Sequence, residues 1–361
     1  MPEISLENIQ PQWMMEYPSP FVIAGPCSAE SESQMLETAE RIKKSCPSIP
    51  VFRAGIWKPR TQPNAFEGVG IIGLKWLKKV KENFGFQTAT EVANAYHAEA
   101  ALESGVDILW IGARSTANPF TVQEIASALK GSDKIVLVKN PTNPDLALWI
   151  GALQRLQGQG IMNLGVIHRG FSSYQKTKYR NQPNWQISLD FKNRFPNIPM
   201  LIDPSHICGN RAGLYDIAQE AVNLGYQGVM LETHCHPDEA WSDADQQITP
   251  EDLAQLLSQL KIRKMDISGY ENEMEKHRKL ISEIDFQLIE LLSERMKLVK
   301  KIGTLKKEHN IAVFQPDRWK IITDYAAAKA AETGLSKDFI EKVFKTIHEE
   351  SVEIQNNIMI K

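Results

Sequence analysis

The feature that most constrains this chain is an alternation. Short apolar runs recur through its first 260 residues, each followed by a stretch of helical spacing. The runs are FVIAGPCS (21–28), VFRAG (51–55), QTATEV (87–92), ILWIGA (108–113), IVLVKN (135–140), MNLGVIHR (162–169), MLIDPSH (200–206) and GVMLETH (228–234). A strand that is apolar on both faces must be covered on both faces, as in a parallel sheet flanked by helices. Eight strand–helix repeats predict a closed (β/α)8 TIM barrel rather than an open sheet.

The strand signals stop after about Leu260. KIRKMDISGYENEMEKH is polar and holds Gly269, as a linker does. Beyond it Ile281, Ile284, Leu288, Leu291, Leu292, Val299 and Ile302 recur at helix spacing on one face. Pro316 interrupts the pattern. A second helix is predicted from about Asp317 and a third from Ser336 to Ile358, with Ser336 as its N-cap. The expected organisation is a barrel over 1–263, a linker over 264–272 and a small all-α domain over 273–361.

The formal net charge is −3, so bulk electrostatics gives no reason to expect a nucleic-acid partner. No run reaches the ~18 apolar residues of a spanning helix, and no basic start followed by an apolar run marks a signal peptide. Four Cys without a C-x-x-C do not make a disulfide framework. The expectation is a soluble, cytoplasmic protein with no membrane or nucleic-acid partner.

A parallel barrel carries its active site at the C-terminal ends of its strands. Those ends offer Cys27, then Lys58, Arg60 and Thr61 in the loop after strand two, then Glu91, Arg114, Lys139, Arg169, His206 and Glu232, with Asp243 just beyond. Strand ends are polar wherever they approach solvent, but Ser, Asn or Thr would serve for that. Two chemistries separate. Cys27, His206, Glu232 and Asp243 are metal-ligand types, and a thiolate–imidazole–carboxylate mix suits a divalent transition metal better than Ca2+ or Mg2+. Arg53, Lys58, Arg60, Arg114, Lys139 and Arg169 would repel one another in one cavity unless they meet phosphates or carboxylates. THCHP offers a rival ligand cluster in His234, Cys235 and His236. Periodicity alone does not choose between Glu232 and His234.

GPCS, KPRT, IGAR, VLVKN, HRGF, DPSH and SDADQQ, in this order, resemble the 3-deoxy-D-arabino-heptulosonate 7-phosphate (DAHP) synthases over nearly all of residues 15–260. The resemblance implies condensation of phosphoenolpyruvate with erythrose 4-phosphate, the first step of the shikimate pathway. It implies a divalent metal on Cys27, His206, Glu232 and Asp243, with Mn2+ the first choice and Fe2+, Co2+ or Zn2+ the others. Arg53, Lys58, Arg114 with its neighbour Ala113, Lys139 and Arg169 would hold phosphoenolpyruvate, and Arg60 and Thr61 the erythrose phosphate. Lys58 would act on the developing alkoxide, and Glu91 would lie near the reacting centre. The related 3-deoxy-octulosonate 8-phosphate synthases are the alternative for the barrel, although KPRT favours the shorter sugar.

The apolar stripe of the first tail helix has two cations in it. At about 100° per residue from Leu288, Arg295 lies about 20° from the stripe centre and Lys306 almost on it. A buried charge is costly unless paired, so the choices are a snorkelling cation, an acid inside the bundle or an anionic ligand. The pattern over 270–358 resembles the all-helical chorismate mutases. It implies substrate binding by Arg278, Arg295, Lys306, Arg318, Ser351 and Gln355, with catalysis resting on Arg295, Lys306 and Gln355. It also implies a homodimer through interlocked first helices, or a higher oligomer, in which Arg278 reaches the partner's site. Gln315 and Trp319 stand where that family has acids meeting the substrate hydroxyl. The alternative for the tail is a dimerising module that senses chorismate or prephenate without catalysis. A link between the two activities is expected as feedback, with the tail's ligand lowering synthase activity.

Overall fold

The structure is a computed structural model that describes residues 6–58, 66–174, 177–263 and 270–360. It divides into two compact units, Met1–Met265 and Asp266–Lys361. Of the expected linker, residues 264–269 lie outside the described residues. The first tail helix already begins at Glu271, so the expected linker runs two residues into it.

In the first unit eight strands close in sequence order, each parallel to its neighbours: β1 Phe21–Gly25, β2 Val51–Arg53, β3 Gln87–Val92, β4 Ile108–Ile111, β5 Ile135–Lys139, β6 Leu164–His168, β7 Met200–Ile202 and β8 Gly228–Glu232. Closure pairs β1 with β8 over five residues, Phe21 opposite Gly228 through Gly25 opposite Glu232. All eight predicted runs contain a strand, and most run past its end. The ladder stops where the chain turns out toward the mouth. In β7 the stop has a cause in the sequence. Pro204 cannot donate to the ladder, and the Asp203 side chain accepts from His206 N and caps a one-turn helix, Pro204–Cys208. His206 is therefore presented by that helix rather than by a strand end. Ala113 and Arg114 likewise stand in the short helix Ala113–Thr116.

The barrel interior is filled by inward side chains that include Phe21, Ile23, Trp110, Leu137 and Met230. Trp13 covers the end opposite the mouth, edge-on to Phe21 at 5.6 Å, with Nε1 donating to Leu164 O at 3.2 Å. A larger cluster between strands and helices holds Ile111, Val138, Val166 and Ile202. All four cysteines are free and buried. No helix is long and apolar enough to cross a membrane among the described residues.

The second unit has three helices, Glu271–Glu308, Pro316–Thr333 and Lys337–Ile360. Pro316 opens the second, where its missing N–H costs nothing. Ser336 Oγ accepts from Phe339 N at 3.4 Å, the predicted N-cap. The third helix packs on both others. The predicted apolar stripe faces outward along much of its length. Val299 is buried, whereas Ile281, Ile284, Leu288, Leu291 and Ile302 are exposed in the single chain.

His168 shows how the barrel wall handles a buried base. Nε2 donates to Pro183 O at 2.7 Å and Nδ1 accepts from Tyr226 Oη at 2.8 Å, and burial pushes the ring down to about 4. A base depressed in the fold binds its proton more readily when unfolded, so its stabilisation is full above the unfolded value and fades as pH falls from about 6.5 to about 4. Urea unfolding followed by tryptophan fluorescence should lose at most about 3 kcal/mol to this group over that window. The loss should shrink in His168→Gln, which has no titrating ring.

Candidate active site

The strand ends open into a cleft of about 330 Å3, lined by Lys58, Glu91, Ala113, Arg114, Lys139, Thr142, Arg169, Ser172, Arg180, Asn181, His206 and Asp243. Cys27 and Glu232 are buried close by, in contact with Lys58 and His206, and Arg53 is buried against both. Arg60 and Thr61 lie outside the described residues.

Two buried carboxylates organise the mouth. Asp203 Oδ2 receives Lys139 Nζ at 2.7 Å, and Oδ1 lies 3.0 Å from His206 Nδ1. Burial works against the Asp203 charge, but His206 and Lys139 hold the carboxyl well below its usual range. Glu232 receives Arg53 Nη2 at 3.2 Å and Gln246 Nε2 at 2.5 Å, with His206 Nε2 at 3.9 Å. Burial opposes its charge too, and His206 and Arg53 outweigh it, so the group stays below the usual value.

The four predicted metal ligands fall into two contacting pairs at the mouth, Cys27 with Asp243 and His206 with Glu232. Cys27 Sγ lies 3.3 Å from Asp243 Oδ2, and Lys58 Nζ lies 2.8 Å from the same sulfur. Burial, with Glu232 adding to it, pushes the Cys27 thiol up to about 12, so it becomes a thiolate only beside a strong positive charge such as a metal ion. His206 is set for the same task, because Asp203 takes Nδ1 and leaves Nε2 turned toward Glu232. A thiol, an imidazole and two carboxylates fit a divalent transition metal. The rival His234 instead lies 3.5 Å from Glu30 and accepts from His236 N at 2.9 Å. Cys235 and His236 join Glu37, with three potential ligand atoms within 4.8 Å of one another, but Glu37 and His236 are exposed.

The cations are arranged for anions. Arg53 is 1% exposed, and its Nε and Nη1 have no hydrogen-bond partner among the described residues. A buried guanidinium with two idle nitrogens has donors to spare for a further acceptor. The face of Trp110 supports it at 4.8 Å and Lys139 at 5.7 Å. Burial lowers the Arg169 guanidinium to about 10, so it is still charged at neutral pH. Sequence reasoning missed Thr142, Ser172, Arg180 and Asn181. Arg180 Nη1 donates to Asp243 Oδ1 and Gln246 Oε1, each at 2.9 Å, and Asn181 Nδ2 to His206 O at 2.6 Å. The available signal was position, since both follow β6 in a loop at the mouth. A lone Arg in a polar loop gives no stronger one.

In the helical unit Arg295 Nη1 donates to Ser351 Oγ at 2.6 Å and Lys306 Nζ to Val313 O at 2.6 Å, neither of them a carboxylate. Arg295 and Arg318 share a pocket of about 370 Å3 with Ile321, Ile322, Tyr325 and Phe344. Ser351 and Gln355 are buried beside the first helix. Arg278 is exposed near the start of that helix, apart from this group.

A closed parallel barrel whose mouth is lined with cations and carboxylates has the layout of a (β/α)8 enzyme. Residues 17–268 match the DAHP synthetase I family, and the chain belongs to it. Residues 277–356 match chorismate mutase type II, which makes the chain a bifunctional enzyme, a DAHP synthase fused to a chorismate mutase. Phospho-2-dehydro-3-deoxyheptonate aldolase of Thermotoga maritima is 28% identical over 240 residues, 66% of this chain and 68% of that protein. A 2-dehydro-3-deoxyphosphooctonate aldolase of Geotalea uraniireducens is 30% identical, covering 66% and 90%. The crystal structure of the Thermotoga maritima DAHP synthase superposes with a TM-score of 0.59 at 28% identity, over 66% of this chain and 67% of that one. DAHP synthases are metal-dependent as a family.

Glu91 gives a test of the mouth geometry. Trp110 Nε1 donates to Glu91 Oε2 at 2.9 Å, and a Cβ on Gly112 would fall 2.1 Å from Oε1. Gly112→Ala should displace the Glu91 carboxylate and lower kcat of the synthase reaction at least about tenfold in a chain with unchanged circular dichroism. An unchanged rate would remove Glu91 from the working site.

Proposed function

We propose that the barrel mouth binds phosphoenolpyruvate through Arg53, Lys58, Ala113, Arg114, Lys139 and Arg169, beside a divalent metal on Cys27, His206, Glu232 and Asp243. Erythrose 4-phosphate is then received by Arg60 and Thr61. The observation that carries this reading is the pair of idle buried Arg53 nitrogens beside four metal-ligand side chains. Mn2+ is the metal proposed, with Fe2+, Co2+ and Zn2+ also compatible with the donors. When bound, the ion supplies Lewis-acid polarisation of the aldehyde carbonyl. The enol carbon of phosphoenolpyruvate attacks that carbon, water adds at the other enol carbon, and inorganic phosphate departs. Lys58 gives a proton to, or holds by charge, the alkoxide that forms, and Glu91 lies near the reacting carbon. The octulosonate reading draws on octulosonate relatives of about 30% identity, but the family match over residues 17–268 favours the DAHP reading.

In the tail, Arg295, Lys306, Arg318, Ser351 and Gln355 hold chorismate so that its rearrangement to prephenate proceeds by positioning and charge, with no covalent step. The outward apolar stripe supports a homodimer through the first helices, with Arg278 reaching the partner's site. The two reactions are not consecutive, so feedback explains the fusion better than channelling. Prephenate or chorismate in the tail lowers synthase activity by favouring a less active state of the chain.

Exhaustive chelation should abolish DAHP formation, and Mn2+ should restore it in the wild type but not in Cys27→Ala or Glu232→Ala. Full turnover in chelator would refute the metal assignment, and loss of metal in His234→Ala but not in Glu232→Ala would move a ligand. Arg295→Ala should lose mutase activity by about 100-fold or more, on the scale of one electrostatic contact to a transition state. The same variant should lose synthase inhibition by prephenate, a coupling expected at about five- to 150-fold in affinity. Mutase turnover at the wild-type rate would make Arg295 a structural residue.

A further inference from the structure

Two buried side-chain atoms of the helical unit have no hydrogen-bond partner among the described residues, His348 Nε2 and Gln355 Oε1. Both belong to the third helix, and with Ser351 they stand at i, i+3 and i+7, on one face. Buried polar atoms are nearly always paired, so two idle ones on one stripe call for a ligand or another explanation. Their neighbour Ser351 is held by Arg295 at 2.6 Å.

The imidazole is packed between aromatic rings and shifted toward its uncharged form. Its ring stacks on Trp319 at 4.2 Å and 21°, and Phe314 lies 6.0 Å away. Burial lowers its pKa, and the Arg295 and Lys306 charges add to the shift while Glu349 opposes it. Stacking engages the ring face and leaves the Nε2 edge free to bond. The cations Arg295, Lys306 and Arg318 match carboxylates. An imidazole edge and a Gln amide oxygen two turns apart on one helix face match uncharged polar groups. Neither Gln315 nor Trp319 carries a carboxylate that could take a ligand hydroxyl.

We infer that His348 is a substrate-binding residue of the mutase site, whose Nε2 hydrogen-bonds the hydroxyl of chorismate while Trp319 holds the ring in place. This rests on the mutase reading of the tail given above. The role makes His348 and Trp319 one unit, with an aromatic support and a neutral polar edge serving in place of an acid.

The test compares the full-length wild type with His348→Gln and His348→Phe. Chorismate turnover and calorimetric prephenate binding are measured on each, with circular dichroism as the check on folding. Gln can place an amide where Nε2 stands and should keep kcat/KM within about threefold, whereas Phe keeps the stack and should lose about tenfold or more in kcat/KM and in prephenate affinity. A chorismate analogue with hydrogen in place of the hydroxyl should be turned over equally by wild type and His348→Phe. Full activity of His348→Phe would show a packing residue and overturn the inference. So would equal losses in Gln and Phe, or a Phe penalty that persists with the analogue. A wild type that neither converts chorismate nor binds prephenate would instead overturn the mutase reading, and this inference with it.

Discussion

The site at the barrel mouth depends on charge balance around two buried carboxylates. Closing the barrel brings residues from opposite strands into one desolvated space, and no charge is tolerated there without a partner. Asp203 meets Lys139 and His206, and Glu232 meets Arg53, Gln246 and His206. His206 stands between the two acids and links them. Both anions thereby stay charged, both cations stay in place, and the ring nitrogen facing the metal donors is chosen. Removing Asp203 would leave Lys139 buried without its carboxylate, and removing Glu232 would do the same to Arg53. Arg53 alone among these groups keeps donors, Nε and Nη1, that its neighbours among the described residues do not use.

Much of this is legible in the sequence. Eight apolar runs are enough to specify eight strands, because a strand covered on both faces has little room for polar residues. The ligand types Cys27, His206, Glu232 and Asp243 stood out because such residues are expensive at buried strand ends. What could not be read was orientation. Strand periodicity put Glu232 and His234 on the same face, and only the exit of the chain after Glu232 turns His234 toward Glu30. The apolar runs extend past the strand ends for the same reason, since sequence shows apolar character and not where a ladder stops. Asp203 was passed over as part of DPSH, although its carboxylate caps the following helix and orients His206. Arg180 and Asn181 were unreadable because a loop has no period to betray a functional side chain.

The tail shows the reverse balance. Its cations were visible as interruptions of an apolar stripe, and Arg295 and Lys306 do find uncharged oxygens rather than acids. Yet the stripe is largely exposed in the single chain, because a three-helix unit of this size has too little surface of its own to cover a helix of 38 residues. Both units follow one rule. Charge placed on an otherwise apolar surface marks either a partner already present in the fold or a ligand still to come.

The most direct measurement of this account is the affinity of the full-length chain for Mn2+, by calorimetry, in the wild type and in Asp203→Asn. Asparagine keeps the size and the capping oxygen but removes the charge that orients His206 and balances Lys139. Binding should be weaker by about ten- to 100-fold in the folded variant, as for other groups that orient a metal-ligating histidine. Equal affinity in the two proteins would contradict it.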